Sequence, residues 1–333
     1  MKSRAITFAA PGKVELREEE VADPGPREIV VQTATSLIST GTEGLCFRGD
    51  FDADSLWDWA LRYPQQPGYS NVGRVCKVGA DVTKFQEGDR VFSTAPHCQF
   101  ALVDAEHKNL VKLPDDTADE DATWSWLAVV TQTGVRRGEH ALGDTAAVIG
   151  LGPLGQLTAA YLRLTGASEV LAIDPVASRL EMAAAHGATA CFRGSADAAK
   201  DFIRQHTEGR GADVVYDVTG SDHVLPAALG LVKNLGTLVI IGDCPHPTRQ
   251  HLTHDVVRRQ IKIIGTQNDY LPPQHDYWVA ARQIPLFYRY LHRGEMRVSD
   301  LISHRFLPAE AAKAYALLQE NRAATMGVVF QWS

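Results

Sequence analysis

Apolar and polar positions follow two rhythms along this chain of 333 residues. Up to Leu113 the apolar residues come in short runs broken by Gly, Pro and charge. That pattern predicts strands at Ala5–Phe8, Lys13–Arg17, Glu28–Ser36, Gly73–Val78, Asp89–Phe92 and Phe100–Val103. A connecting helix is expected over Val129–Gly138. From Asp144 strands and helices alternate. The apolar run Ala146–Ile149 is followed by strands near Val170, Val214, Thr237 and Lys262, with helices near Ala177–His186, Ala196–His206 and His223–Leu231 between them. About five such strands with crossovers predict a parallel, doubly wound sheet. After Gly265 the pattern changes to helices around Tyr277–His292 and Ala309–Gln319 and a last strand, Gly327–Phe330. The expected class is α/β. A β-rich domain over 1–126 and 268–333 is interrupted by a doubly wound domain over 127–267.

The most informative stretch lies where the second rhythm begins. Gly150-Leu151-Gly152-Pro153-Leu154-Gly155 follows a short apolar strand and opens a helix, Gln156–Leu164. A first glycine permits the tight turn and a second lets backbone approach a pyrophosphate. The third lets helix and strand pack closely, and the helix N-terminus presents free N–H groups to phosphate. A second strand, Val170–Ile173, ends in Asp174, whose carboxylate can accept both ribose hydroxyls. This order of elements predicts a dinucleotide site. Asp174 favours NAD, since a 2′-phosphate would meet its charge, with NADP the alternative. Arg179, on the next helix, either stacks on adenine or lies at the surface.

Composition narrows the classes. Hydrophobic residues make up 45% and charged residues 22%, ordinary for a globular enzyme, and the net charge is −7. With no Lys/Arg cluster, a nucleic-acid partner is not expected. No apolar run is long enough for a membrane span, and no secretory signal is visible. Five scattered cysteines, Cys46, Cys76, Cys98, Cys191 and Cys244, show no CxxC spacing. They fit reduced thiols in a cytoplasm.

Several motifs then coincide with one family. Val78-Gly79-Ala80-Asp81-Val82, Phe85 and Gly88-Asp89-Arg90-Val91 resemble the VGxxVxxFxxGDRV element of medium-chain dehydrogenases/reductases. Pro67-Gly68-Tyr69-Ser70-Asn71-Val72-Gly73 sits where those enzymes carry PGHExxG, and Ser39-Thr40-Gly41-Thr42-Glu43 resembles their C-G-T-D turn. Asp217–Gly220, Ile240–Gly242 and Leu301–Phe306 resemble later family elements in the expected order. The resemblance covers essentially the whole chain. It implies a GroES-like catalytic domain around a Rossmann domain, an NAD(P)-dependent enzyme, and Thr219 and Gly242 beside the cofactor. It also implies a homodimer or homotetramer paired through the last Rossmann strands.

The departures from the family matter more. Zinc-dependent members surround the metal with a Cys, a His-Glu pair and a further Cys or Glu. Here those positions are Thr40, Tyr69, Ser70 and a place near Trp126, none of them a good zinc donor. A metal held by His97, Cys98 and Cys46 is conceivable, although adjacent residues cannot easily share a tetrahedral site. No zinc is expected. The vacated positions Thr40, Ser70 and Trp126 would then face a small-molecule substrate.

Without a metal, hydride transfer to or from an alcohol carbon needs a proton acceptor and donors aimed at the oxygen. Tyr69 is the first candidate, as base or hydrogen-bond donor, or else it merely fills the vacated volume. Thr42 matches the family's relay hydroxyl and equally suits a turn. Glu43 is either a base or a turn carboxylate. Phe47, Phe51, Trp57, Trp59 and Tyr63 crowd the stretch Leu45–Tyr63 and form either a wall over a ring-shaped substrate or local core. Asn268 and Tyr270 follow the last doubly wound strand, where ligands commonly bind. The activity these residues suit best is zinc-independent interconversion of a secondary alcohol (polyol, sugar-like or cyclic) and a ketone. Reduction of a conjugated C=C bond, and nucleotide binding without turnover, are the alternatives. The glycine loop resembles polyol and alcohol dehydrogenases rather than the AxxGxxG loop of enoyl and quinone reductases.

Overall fold

Alternation becomes a strand where one face is buried, and the first rhythm does so from its start. In the computed structural model, which describes residues 1–332, the chain forms β1 (Lys2–Ala10), β2 (Lys13–Glu20) and β3 (Glu28–Ile38), then α1 (Thr42–Arg48) and α2 (Leu56–Ala60). There follow β4 (Asn71–Val78), β5 (Arg90–Ser93), β6 (Phe100–Asp104), β7 (Val111–Lys112), α3 (Asp119–Ala122) and α4 (Ser125–Gly138). The alternating part is β8 (Thr145–Ile149), α5 (Pro153–Leu164), β9 (Glu169–Asp174), α6 (Ala177–Ala185), β10 (Ala190–Arg193), α7 (Lys200–His206) and β11 (Ala212–Asp217). It continues through α8 (Val224–Leu231), β12 (Val232–Ile240), α9 (Asp255–Arg258) and β13 (Lys262–Gly265). The last elements are α10 (Ala280–His292), β14 (Ile302–Phe306), α11 (Ala311–Glu320) and β15 (Gly327–Gln331).

Two units carry these elements. One comprises Met1–Asp50, Leu56–Trp126 and the chain from Trp278 on; the other comprises Phe51–Ser55 and Leu127–Tyr277. In the first, β14-β15-β3-β4-β5-β7 form one sheet with β6 also on β3, and β1 and β2 pair as a hairpin. Ile29, Val31, Val75, Val91 and Leu110 form a core on this sheet. In the second, six strands run parallel in the order β10-β9-β8-β11-β12-β13. The order reverses around β8, so the loops after β8 and β11 leave in opposite directions. Such a switch point is where open parallel sheets bind ligands. β8 is buried along its whole length, and the core includes Ala147, Ile149, Leu171, Ile173, Val215 and Leu238.

The fold is thus α/β, with a β-rich part and a parallel six-stranded sheet. Of the elements that the pattern did not predict, three are instructive. β10 adds an edge strand to the parallel sheet; only half of its residues are even partly buried, so it lacks the apolar run that marks its neighbours. The stretch read as the turn Ser39–Glu43 continues directly into α1, whose Leu45, Cys46 and Phe47 are buried. Gly41 and Gly44 had masked that short helix. β14 pairs parallel with β15 although its residues alternate around Ser, His and Arg.

Candidate functional site

In the second unit, backbone geometry makes the loop after β8. Gly150 has φ +89, and a Cβ there would stand 2.7 Å from Thr219 Cγ2. At Gly155 a Cβ would stand 2.0 Å from the Gly150 carbonyl oxygen, so only glycine lets α5 pack here. A Cβ at Gly152 would meet nothing within 4 Å, which leaves that face of the loop open to a ligand. Pro153 begins α5, where its missing N–H costs no helical hydrogen bond. Leu151 is held from both sides. Its N–H donates to Asp174 Oδ2 (2.8 Å), and its carbonyl accepts from Nε2 of the buried Gln156 (3.0 Å). The same amide donates to the Arg179 carbonyl (2.8 Å), tying the loop to α6.

The turns after β11 and β12 lie against one another: a Cβ on Gly242 would stand 2.3 Å from the Gly220 nitrogen. Thr219 donates its N–H (3.0 Å) and hydroxyl (2.7 Å) to Asp217 Oδ1. Its side chain therefore shapes its own turn. Gly150, Gly152, Pro153, Leu154, Gly155, Asp174, Arg179, Thr219 and Gly242 all gather at the carboxyl ends of β8, β9, β11 and β12. Open glycine backbone, a helix N-terminus and a carboxylate fit a dinucleotide.

In the first unit, side chains make the site. Tyr69 is half-buried and donates its hydroxyl to Ser39 Oγ, with the Thr42 hydroxyl also within hydrogen-bonding reach. Burial pushes the phenol up to about 12, against the lesser opposing effect of these hydroxyls. Behind it, the Ser39 N–H donates to Glu43 Oε1 (2.8 Å), and the Glu43 N–H returns a bond to the Ser39 carbonyl (2.9 Å). Glu43 Oε2 accepts from the Tyr315 hydroxyl (2.6 Å) and lies 3.0 Å from His97 Nε2. The other ring nitrogen, Nδ1, lies 2.8 Å from Ser36 Oγ, which accepts the indole N–H of Trp332 (2.9 Å). Ser36 thus has its own proton to give His97 Nδ1, which leaves Nε2 to donate to Glu43. Glu43 is 2% exposed and His97 0%. Glu43, expected near the substrate, spends its carboxylate on internal donors that hold the turn beneath Tyr69.

The remaining candidates are more scattered. Thr40, Thr42 and Trp126 are half-buried; Ser70 is buried, and its Oγ has no partner among the described residues. Two hydroxyls, a phenol and an indole at Thr40, Ser70, Tyr69 and Trp126 are not a zinc donor set. Around His97 both ring nitrogens are engaged, and burial pushes the Cys46 and Cys98 thiols up to about 11 and about 12. Among the described residues, no group of three or more His, Cys, Asp or Glu is disposed to hold a metal.

The five aromatics of 45–63 do not form one wall. Phe47 is core, packed on Phe8 and Tyr315 with ring centroids 5.4 Å away from each. Tyr63 donates to the Cys46 carbonyl, Trp57 is half-buried, and Trp59 is 73% exposed on α2. Phe51–Ser55 belongs to the second unit, where Asp52 accepts the Thr248 N–H (2.9 Å) and lies 3.0 Å from His246 Nδ1. Tyr270 is 85% exposed and, with Arg137, Gln267 and Asp269, lines a cavity of about 680 Å³; Asn268 is half-buried and does not line it.

Sequence reasoning missed Ser36, Ser39, Tyr315 and Trp332, and saw His97 only as a metal candidate. A polar residue placed where an apolar one would serve the core, such as Ser36 within β3, was the one available signal.

Comparison with known proteins follows this geometry. Residues 25–148 match the alcohol dehydrogenase GroES-like domain and residues 153–277 the zinc-binding dehydrogenase family. The chain is 26% identical to D-guloside 3-dehydrogenase of Escherichia coli K12 over 350 aligned positions, covering 98% of this chain and 100% of that protein. It is 29% identical to sorbitol dehydrogenase 1 of Saccharomyces cerevisiae, covering 80% and 81% of the two chains. A crystal structure of an Escherichia coli oxidoreductase/dehydrogenase of unknown specificity superposes with a TM-score of 0.85 at 21% identity, covering 100% of both chains. Among the described residues, no helix is long and apolar enough to cross a membrane.

Proposed function

The chain belongs to the medium-chain dehydrogenase superfamily of the zinc-type alcohol dehydrogenases, and from that premise we propose a zinc-independent, NAD(P)-dependent oxidoreductase. It interconverts a secondary alcohol of polyol or sugar-like kind and its ketone. The two relatives named for a guloside and for sorbitol support that substrate class. When bound, the nicotinamide supplies the hydride carrier. The glycine loop and the N-terminus of α5 would hold its pyrophosphate, and the turns at Thr219 and Gly242 would adjoin the rest.

The observation that carries the reading is the hydroxyl cluster at positions where zinc ligands are expected. Tyr69, with its phenol near about 12, keeps its proton at neutral pH. In ketone reduction it is therefore a donor to the carbonyl oxygen, and Ser39 and Thr42 stabilise the phenolate that results. In alcohol oxidation the same group is a poor base at neutral pH, so that direction quickens as pH rises. Ser39 is in turn held by Glu43, and Glu43 by His97 and Tyr315.

The test is a panel of ketoses, ketosides and cyclic ketones, followed by NAD(P)H absorbance on purified protein whose metal content is measured. Turnover that survives exhaustive chelation is expected. Stoichiometric zinc required for turnover would overturn the metal-free reading, and reduction of enones alone would replace the substrate class.

A further inference from the structure

The hydrogen bonds around Glu43 all run toward it. The Trp332 indole N–H goes to Ser36, the Ser36 hydroxyl to His97 Nδ1 and the His97 Nε2–H to Glu43 Oε2, at 2.9, 2.8 and 3.0 Å. The Tyr315 hydroxyl is a second donor to Oε2 (2.6 Å), and the Ser39 N–H donates to Oε1 (2.8 Å). A proton on either carboxyl oxygen would face a donor, so Glu43 is ionised. Its three donors are neutral: a backbone amide, a phenol and an imidazole whose Nδ1 is an acceptor. Arg48, the one cation of α1, donates to Gln319 (3.0 Å), and no Lys or Arg pairs with Glu43 among the described residues. A carboxylate 2% exposed therefore keeps an unopposed charge in a medium of low dielectric.

Ser39 joins that charge to the proton donor proposed above: its N–H is on Glu43, and its hydroxyl accepts from Tyr69. The groups that act on the phenol are the Ser39 and Thr42 hydroxyls, Glu43 and Cys46. Burial pushes the Cys46 thiol up to about 11, so at neutral pH Glu43 alone among them is charged. A fixed anion resists the formation of a second one beside it. We propose that Glu43 acts on the reaction through its charge, holding the proton on Tyr69 and so setting the pH at which alcohol oxidation gains speed. Buried behind Ser39, it is a positioning residue that works through Tyr69 and not on the substrate. This inference rests on the dehydrogenase reading and on Tyr69 as its proton donor.

Two readouts on the full-length protein test it. One is the pH profile of kcat/KM for alcohol oxidation. The other is the tyrosinate absorbance that each chain shows beyond its own Tyr69→Phe derivative. Glu43→Gln removes the charge and keeps the size; Tyr315→Phe removes a donor and keeps the charge. In Glu43→Gln the profile should move to lower pH by about half a pH unit or more, and the Tyr69 share of tyrosinate at alkaline pH should rise about threefold. Tyr315→Phe should leave both readouts where the unaltered protein has them. Unmoved readouts in Glu43→Gln would overturn the proposal and mark Glu43 as purely structural. A downward shift in Tyr315→Phe, which retains the charge, would overturn it even if Glu43→Gln failed to fold. If the unaltered protein oxidises no alcohol, the dehydrogenase reading fails, and the tyrosinate absorbance alone decides whether Glu43 holds the proton on Tyr69.

Discussion

The loop after β8 and the cluster around Tyr69 are built by opposite means. The first is nearly all backbone, three glycines pinned by Asp174 and Gln156, and it lies within residues 150–179. The second is nearly all side chain, drawn from β3, α1, α11 and the segments that carry Ser39, Tyr69, His97 and Trp332, and its Ser36–Trp332 bond joins residues 296 apart. A backbone site tolerates changes of side chain and fails on a single added carbon. A side-chain network fails when any one buried acceptor is lost, because each donor facing it is then stranded in a dry interior.

Glu43→Ala attacks the second kind of site most directly. It strands the Ser39 N–H, the Tyr315 hydroxyl and the proton on His97 Nε2. A loss of about 4 kcal/mol in urea unfolding is expected from three unmet buried donors, and a loss under about 1 kcal/mol would show the network to be slack. Gly155→Val attacks the first. Its side chain would press on the Gly150 carbonyl, so about 3 kcal/mol of stability and all dinucleotide binding should disappear together. Retained NADH binding in that variant would contradict the loop's role.

Tyr69→Phe separates chemistry from scaffolding. A fall of about 100-fold in kcat for ketone reduction is expected for loss of a proton donor, with the unfolding midpoint nearly unchanged. A change in stability without a change in kcat would leave Tyr69 as filler. Gly152→Ala should be nearly silent in stability, since a Cβ there meets nothing, yet lower dinucleotide affinity by about tenfold, roughly 1.4 kcal/mol. Equal binding by this variant would mean that the ligand does not cross that face.

The smallest effect is alkaline. The Tyr69 phenol ionises at 10.0 ordinarily and at about 12 in the fold. Its contribution to stability is whole below pH 10.0 and is lost as pH rises through about 12, because the unfolded chain releases the proton first. Melting temperatures between pH 9 and 11 should therefore fall less steeply for Tyr69→Phe than for the unaltered protein.

What the chain reveals when read without coordinates follows the same divide. Gly150 to Asp174 could be read because the chemistry is local: a strand, a turn and a helix each leave a mark in adjacent residues. That β8, β9, β11, β12 and β13 form a parallel sheet could be read from apolar runs alternating with helices; their order could not. β10 escaped because an edge strand need not be apolar, and α1 because its glycines imitate a turn. Tyr315 could not be found, since a tyrosine on the buried face of α11 looks like core until its hydroxyl is seen on Glu43. The role of Asp174 was half legible. Its position was clear, but that its oxygens serve Leu151 and Val176 depends on loop geometry no spacing encodes.

The indole of Trp332 carries one more implication, for the order in which the molecule matures. Ser36 leaves the ribosome 296 residues before the indole whose N–H it accepts. Until then His97 and the turn bearing Ser39 lack one of their supports, while the glycine loop can already be set. The nascent enzyme should thus gain a grip on nucleotide before it gains a settled place for the substrate's oxygen.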